Sequence, residues 1–125
     1  MLDDRRTTPS ANMTALGWTK AANRLGWAAY LGREPGGEDV SAYAAPARAT
    51  DLAGLPPAFI CVGTLDLFRD EDIDYALRLL DADVVTELHV YPGAPHAFEN
   101  FAPKSAIGAR CQADMDNALR RALAR

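Results

Sequence analysis

The pattern between residues 58 and 100 constrains the fold more than any other part of the sequence. An apolar run over Ala58–Val62 is followed by an amphipathic segment and then by the alternating stretch Thr86–Tyr91. Short apolar runs of this kind are typical of strands in a parallel sheet that is covered on both faces. Two parallel strands of one sheet that are joined through a helix form a right-handed crossover. We therefore predict an α/β fold that contains a strand–helix–strand unit.

The segment between the two strands predicts a helix over Asp70–Leu80. Its apolar residues recur at the spacing of one helix face, which we expect to lie against the core: Ile73, Ala76, Leu77 and Leu80. Acidic residues fill its first turns, where the helix dipole favours negative charge. Asp83 stands just after the helix, and an aspartate there is able to adopt the left-handed conformation at some cost.

Two further helices flank this unit. A helical pattern covers Trp18–Leu31, with Thr19 as candidate N-cap and Gly32 where the helix would stop. Near the end of the chain a second pattern predicts a long helix, whose apolar face holds Ile107, Cys111, Met115, Ala118, Leu119 and Ala122. The order of elements is therefore helix, long loop, strand, helix, strand and helix.

The remaining segments have no periodic pattern. Residues 1–13 are polar, which predicts a loop. Residues 32–57 are rich in glycine and proline, which predicts a long connection across the surface. A sheet of two parallel strands rarely stands alone, because parallel sheets need burial on both faces. We therefore expect the chain to be one end of a larger fold.

Two chemically active side chains follow the two predicted strands. Asp66 comes shortly after the first strand, and His96 follows the second in a Pro-Gly loop. In an open α/β sheet the reactive groups lie just beyond the carboxyl ends of the strands. We therefore expect Asp66 and His96 to lie side by side, as two of the three members of a nucleophilic triad.

Composition limits the partners and the compartment. The 125 residues suffice for one domain, and a net charge of −4 with a pI near 5.0 argues against a nucleic-acid partner. No apolar run approaches the ~20 residues of a membrane span, and no signal peptide is visible. Cys61 and Cys111 lack metal-ligand spacing and are expected to be free thiols rather than a disulfide, which predicts a cytoplasmic protein. The acidic run Asp70–Asp72 has no third ligand type at a spacing that suits a metal.

The motifs in this order resemble a known family. LPPAFICVGTLDLFRDEDIDYALRLL, followed by TELHVYPGAPHAF, is similar to the C-terminal part of α/β-hydrolases of the hormone-sensitive-lipase-like group, which are carboxylesterases and lipases. MLDDRRTTPS, WTKAANRLGWAAYLG and VSAYAAPARATDLAGLPP resemble that family's connection after the sixth strand, a cap helix and the approach to the seventh strand. The resemblance implies the C-terminal segment of one α/β-hydrolase domain over 1–125, with a cap-like helix at about 14–32 and a strand–helix–strand–helix unit over 58–125.

The resemblance also implies site residues and a reaction. Asp66 matches the family's triad acid and His96 its general base, while Ala97 stands where the family commonly has glycine, a change that looks minor. The implied activity is hydrolysis of small acyl esters through an acyl-enzyme, without a metal or cofactor. The chain order of serine, acid and histidine is that of α/β-hydrolases.

One part of the family pattern is missing. The sequence contains neither G-x-S-x-G nor H-G-G-G, and its serines (Ser10, Ser41 and Ser105) lie in other contexts. We therefore expect the N-terminal half, with the nucleophile and the oxyanion hole, to be absent and the chain alone to be inactive. The alternative is a non-catalytic remnant that serves as a binding or assembly module and pairs with a separate N-terminal half.

Other interpretations of these residues remain open. Asp66 is also placed to cap the helix that follows it, a histidine after a strand is often incidental, and His89 on the second strand is more typical of a structural role. The aromatic residues of the first helix either pack against the fold or line an apolar substrate cleft. The triad interpretation makes one geometric prediction, a separation of about 3 Å between an Asp66 oxygen and a ring nitrogen of His96.

Overall fold

Six helices and strands build the described part of the chain. A computed structural model describes residues 1–6 and 18–124, so most of the predicted loop over 1–13 lies outside the described residues. The elements are α1 (Lys20–Leu31), β1 (Ala58–Gly63), α2 (Arg69–Asp81), β2 (Thr86–Tyr91), α3 (Phe98–Phe101) and α4 (Ala106–Leu123), with a 3₁₀ turn at Pro46–Arg48. The predicted order is confirmed, and α3 and the 3₁₀ turn are additions.

The strands β1 and β2 form a two-stranded parallel sheet. Their register runs from Ala58 opposite Thr86 to Gly63 opposite Tyr91. Helix α2 is the crossover between them, as predicted. It covers one face of the sheet, while α4 covers the other, where Cys111 packs with Tyr91. The described residues therefore form three layers, α/β/α, around a short sheet.

The helix ends follow local signals. The Thr19 hydroxyl accepts the Ala22 N–H at 3.1 Å, and Gly32 ends α1 with φ of 67°, so both predicted signals are confirmed. Asp83 has a φ of 58°, the left-handed conformation expected of it. Ser105 caps α4 by accepting the Gly108 N–H at 3.1 Å, a cap that the sequence analysis missed.

The predicted core face of α2 is partly wrong. Ala76 is fully buried, as expected, but Leu77 and Leu80 are 51% and 47% exposed, and Leu79 takes their place in the core. Leu79 packs with Leu52 and Val84. The cause is geometric: apolar side chains extend around more than half of this helix, and the described sheet covers only the side that carries Ala76 and Leu79.

The long connection over residues 32–57 is more than a surface loop. Val40, Ala45 and Leu52 are buried within it, and Val40 and Ala45 pack against Trp27 of α1. Its apolar residues are too irregularly spaced to form a helix or strand pattern, so this packing was not predictable from periodicity. The prediction of a connection that only crosses the surface is therefore corrected.

The N-terminal segment holds this connection in place. The Asp4 side chain is fully buried and accepts hydrogen bonds from Arg48 Nε at 2.6 Å and Arg48 Nη2 at 2.8 Å. Its second oxygen also accepts the Gly36 N–H at 2.7 Å. The hydrogen bonds from Arg48 are the main cause that holds the pKa of Asp4 below its usual value. One carboxylate thus joins the N-terminal segment to two points of the connection over residues 32–57.

Two expectations from composition concern thiols and membranes. Both cysteines are free, with Cys111 buried and Cys61 half-buried. Burial raises the pKa of the Cys61 thiol to about 12. None of the helices in the described ranges has the length and apolar character needed to cross a membrane.

Candidate active site

Backbone hydrogen bonds bring the loops after the two strands together. The Thr64 N–H donates to Tyr91 O at 2.9 Å, and the Leu65 N–H donates to Ala94 O at 3.0 Å. The Gly93 N–H donates to the Thr64 hydroxyl oxygen at 2.8 Å. The chain segments that carry Asp66 and His96 are therefore joined along their length, and not only at the sheet.

This close approach depends on Gly63 at the end of β1. A Cβ atom at this position would lie 2.0 Å from Ala94 O and 2.6 Å from the carbonyl carbon. Those atoms belong to backbone, which does not move aside as a flexible side chain does. Glycine is therefore needed at residue 63 for the two loops to reach each other.

Asp66 and His96 are in direct contact. His96 Nδ1 lies 3.0 Å from Asp66 Oδ2 and 3.3 Å from Asp66 Oδ1. Because an ionised carboxylate only accepts, Nδ1 is the donor. Asp66 is 6% exposed, whereas the His96 side chain keeps 33% of its surface. The predicted separation of about 3 Å is confirmed.

The backbone also holds the Asp66 carboxylate. The Phe68 N–H donates to Asp66 Oδ1 at 2.9 Å. Phe68 is the N-cap of α2, and this helix has no side-chain cap. Asp66 therefore binds the chain at the entrance to the helix and the histidine at the same time, so the two interpretations of this residue are compatible.

The electrostatics of the pair favour a charged imidazole. The hydrogen bond that His96 Nδ1 donates to Asp66 is the main cause that raises the pKa of His96 above its ordinary 6.5, and burial opposes it. Within residues 1–6 and 18–124, no side chain or backbone group hydrogen-bonds His96 Nε2. With Nδ1 committed to the carboxylate, Nε2 is the atom that takes up and releases a proton.

Aromatic rings from two segments contact the imidazole. Phe68 meets it edge-on, with ring centroids 5.2 Å apart, and Trp18 lies tilted at 6.3 Å. No role for Phe68 was evident from the sequence. The signal that was available is its place two residues after Asp66, at the turn into α2.

Ala97 follows the histidine in a left-handed conformation, with φ of 56°. The family position that it occupies commonly has glycine, and the exchange looked minor in the sequence. It carries a steric cost, because a Cβ atom in this conformation approaches the neighbouring carbonyl. This strained residue is adjacent to His96 in the chain.

Two acids at the start of α2 point inward. Glu71 is buried and accepts the Leu2 N–H at 2.7 Å, while burial raises the pKa of Asp72 to about 7. In the sequence both were interpreted only as acids whose charge suits the helix dipole. The available signal was the run of three acids, because consecutive helical positions point in different directions and at least one turns toward the core. Nowhere in the two described ranges do three histidine, cysteine or acidic side chains group as a metal site requires.

The second histidine belongs to a different cluster. His89 Nδ1 lies 3.1 Å from Asp114 Oδ2 on α4, and its Nε2 lies 2.9 Å from Glu87 Oε1. The Tyr91 hydroxyl donates to the same Asp114 oxygen at 2.7 Å. Both ring nitrogens therefore have carboxylate partners, and the contact of Nδ1 with Asp114 joins β2 to α4, which agrees with the structural role expected of His89.

Comparison with known proteins supports the same fold. A family model described as alpha/beta hydrolase fold matches residues 1–100. The carboxylesterase NlhH of Mycobacterium tuberculosis is 42% identical over 79 residues, which are 63% of this chain and 24% of the relative. The esterase LipI of the same species is 41% identical over 58 residues, or 46% of this chain and 18% of LipI.

Solved structures extend the match to nearly the whole chain. A bacterial heroin esterase superposes with a TM-score of 0.85 at 41% identity, over 97% of this chain and 39% of the esterase. Esterase LipW from Mycobacterium marinum has a TM-score of 0.79 at 38% identity, over 98% of this chain and 38% of LipW. An esterase of the bacterial hormone-sensitive lipase family has a TM-score of 0.77 at 27% identity, over 96% and 40%.

The chain therefore spans about a quarter or less of these curated relatives and about two-fifths of these solved structures. Within that span the sequence and the fold agree with the same group of esterases. The chain belongs to the α/β-hydrolase fold family.

Proposed function

We propose that this chain supplies the acid and the general base of a carboxylic-ester hydrolase. Asp66 is the acid and His96 the base of a Ser-His-Asp triad. One observation carries the proposal: the 3.0 Å hydrogen bond between His96 Nδ1 and Asp66 Oδ2 at the carboxyl ends of two parallel strands. Ligands and reactive groups of α/β sheets gather at this edge.

The reaction follows from which atoms are free. Neutral His96 accepts at Nε2 the proton of a serine hydroxyl, whose oxygen attacks the ester carbonyl and forms a tetrahedral intermediate. The imidazolium then donates that proton to the leaving alcohol as the ester C–O bond breaks, and an acyl-enzyme remains. A water molecule then attacks the acyl-enzyme in the same two steps. His96 takes a proton from the water and then donates it to the serine oxygen as the carboxylic acid is released. Asp66 keeps the ring in the Nδ1–H tautomer and stabilises its positive charge.

The nucleophile comes from outside these 125 residues in this proposal. No serine of the chain lies in a G-x-S-x-G sequence, and no H-G-G-G is present to form an oxyanion hole. A complementing N-terminal half is therefore the proposed partner, and a small acyl ester is the substrate. The carboxylesterase and esterase activities named for the relatives agree with this class of substrate. Cytoplasmic localisation, inferred from the free thiols, stays a prediction.

Complementation tests the proposal. The partner is the part of Mycobacterium tuberculosis NlhH outside the region that matches this chain. We expect the chain alone to hydrolyse p-nitrophenyl acetate no faster than free imidazole at equal concentration, and the mixture to turn it over. His96→Ala should abolish the restored turnover, and Asp66→Asn should lower its kcat by about 10⁴-fold, because the imidazole loses its correct tautomer.

The second histidine is the matched control. His89→Ala removes an imidazole that is also bound to carboxylates but lies in the β2–α4 cluster, so turnover per folded complex should persist. A fluorophosphonate probe should label the partner and not this chain. Turnover that survives His96→Ala, or labelling of the chain alone, contradicts the proposal. A stable complex without turnover identifies the alternative, a binding or assembly module.

A further inference from the structure

Trp18 lies beside the proposed base and is held there by a buried amide. Its indole ring centroid is 6.3 Å from that of His96, with the planes tilted by 46°. The indole N–H donates to Asn23 Oδ1 at 3.4 Å. Asn23 is on the first turn of α1 and is fully buried. The position of the indole relative to His96 is therefore tied to α1.

Within the described residues, the amide nitrogen of Asn23 makes no hydrogen bond. This atom, Nδ2, is buried. Burying an amide group with half of its hydrogen bonds unmade costs free energy that an apolar side chain would not cost. The hydrogen bond that Asn23 Oδ1 accepts from the Trp18 indole therefore offsets part of the cost of burying this amide.

The two aromatic neighbours of His96 differ in exposure. Phe68 is buried, with 4% of its surface exposed, and it comes from the turn before α2. Trp18 is half-buried and keeps accessible surface next to an imidazole that is itself one-third exposed. Among the described residues, Trp18 thus offers an apolar surface to a molecule at His96 Nε2.

We propose that Trp18, positioned by Asn23, is a specificity-determining residue that contacts the apolar part of the ester substrate beside His96. The inference rests on the proposed function and adds the residue that selects the substrate. During proton transfer the reacting oxygen lies about 3 Å from His96 Nε2. The groups attached to the reacting carbonyl then fall within reach of a ring at this distance. The apolar group is either the acyl chain or the alcohol, and both bury the same kind of surface against the indole.

The first test measures the positions of the two rings in the intact chain. A protonated imidazole quenches a neighbouring indole, so tryptophan emission should fall as the pH drops through the pKa of His96. The pH-dependent part should vanish in His96→Gln and in Trp18→Phe, in which Trp27 is the remaining indole. Asn23→Ala should weaken it while far-ultraviolet circular dichroism shows that α1 persists. If the pH dependence survives in Trp18→Phe, Trp18 does not lie against the base and the proposal is overturned.

The second test distinguishes the two ends of the ester. Ethyl 4-bromobutyrate and 2-bromoethyl butyrate are isomers that carry bromine, a contact quencher of indole, on the acyl and the alcohol side respectively. We expect one isomer to quench the emission saturably in the intact chain and not in Trp18→Phe. The isomer that does so identifies the side that Trp18 contacts. Quenching that stays linear with concentration for both isomers overturns the proposal. Neither readout needs turnover, so failure here is distinct from failure of complementation.

Discussion

The Asp66 carboxylate acts on His96 and on the backbone at the same time. It accepts from His96 Nδ1 at 3.0 Å and from the Phe68 N–H at 2.9 Å, while only 6% of the residue is exposed. A carboxylate held by a backbone N–H has little freedom to turn away from its second partner. The orientation of the imidazole is therefore fixed by the fold itself, which is what the proposed role of His96 requires.

Asp66→Asn should lower the pKa of His96. Asp66 is the main cause that raises this pKa above 6.5 in the folded chain, so without its charge the opposing effect of burial should dominate. Because the folded-state pKa is raised, the pair stabilises the fold fully below the unfolded pKa, and this stabilisation is lost as the pH rises through the folded pKa. The difference in free energy of unfolding between the wild type and Asp66→Asn should thus be larger at about pH 5.5 than at about pH 8.5.

Proton NMR titration of the His96 ring measures the first effect, and urea denaturation at the two pH values measures the second. His89 provides an internal reference in the same spectra, because its partners Glu87 and Asp114 are unchanged in the variant. A His96 midpoint that stays in place, or a stability difference that grows with pH, contradicts the assigned contact.

At the scale of elements, the junction between β1 and the His96 loop decides whether a site forms. The strands alone bring their carboxyl ends together, but the loops beyond them are joined by separate hydrogen bonds, including Leu65 N–H to Ala94 O at 3.0 Å. Gly63 permits this approach because it has no Cβ to meet the Ala94 carbonyl. A local feature of one strand thus controls the position of a side chain on the loop after the next.

Gly63→Ala should destabilise the chain by about 1–3 kcal/mol, as overpacking against fixed atoms does. It should also lengthen the contact between His96 and Asp66, because the Ala94 carbonyl must move. Gly37→Ala is the matched control, since a Cβ at residue 37 has no atom within 4 Å and its φ is not left-handed. Thermal denaturation followed by circular dichroism gives the stabilities, and the His96 titration reports the contact. Equal effects from the two substitutions would contradict the close approach at Gly63.

At the scale of the whole molecule, a buried ion pair ties the N-terminal segment to the rest. Asp4 is fully buried against Arg48, whose side chain is 12% exposed, and it also binds the Gly36 backbone. The connection over residues 32–57 has few regular hydrogen bonds of its own, so this carboxylate replaces secondary structure as its anchor. The position of α1, and with it that of Trp18, depends on this connection through the packing of Val40 and Ala45 on Trp27.

Asp4→Ala should lower the free energy of unfolding by about 3–5 kcal/mol, because it leaves a buried guanidinium without its partner. The pKa of Asp4 is lowered in the folded chain, so the stabilisation is present above its unfolded pKa and disappears as the pH falls through the folded pKa. Glu34→Ala is the matched control, since it breaks the exposed pair with Arg24 and should cost at most about 1 kcal/mol. Urea denaturation at neutral pH compares the two variants. A loss for Asp4→Ala as small as that for Glu34→Ala would show that the pair is not an anchor.

The sequence by itself determined the elements and the edge at which the candidate site lies. Strand and helix patterns are local, so β1, α2, β2 and α4 were readable from periodicity. The caps Thr19 and Gly32 were readable from residue type alone. Because parallel strands end at the same edge of a sheet, the positions of Asp66 and His96 along the chain sufficed to predict their contact.

Only the tertiary structure decided which faces those elements bury and what surrounds the site. Leu77 and Leu80 belong to an apolar stripe in the sequence, yet they stay exposed, because the described sheet covers a neighbouring side of α2. The contact of Trp18 with His96 and the pairing of Asp4 with Arg48 each join residues that lie far apart in the chain. Periodicity reports that a residue faces a partner, but the identity of that partner follows from contacts between segments far apart in the chain, which local patterns do not contain.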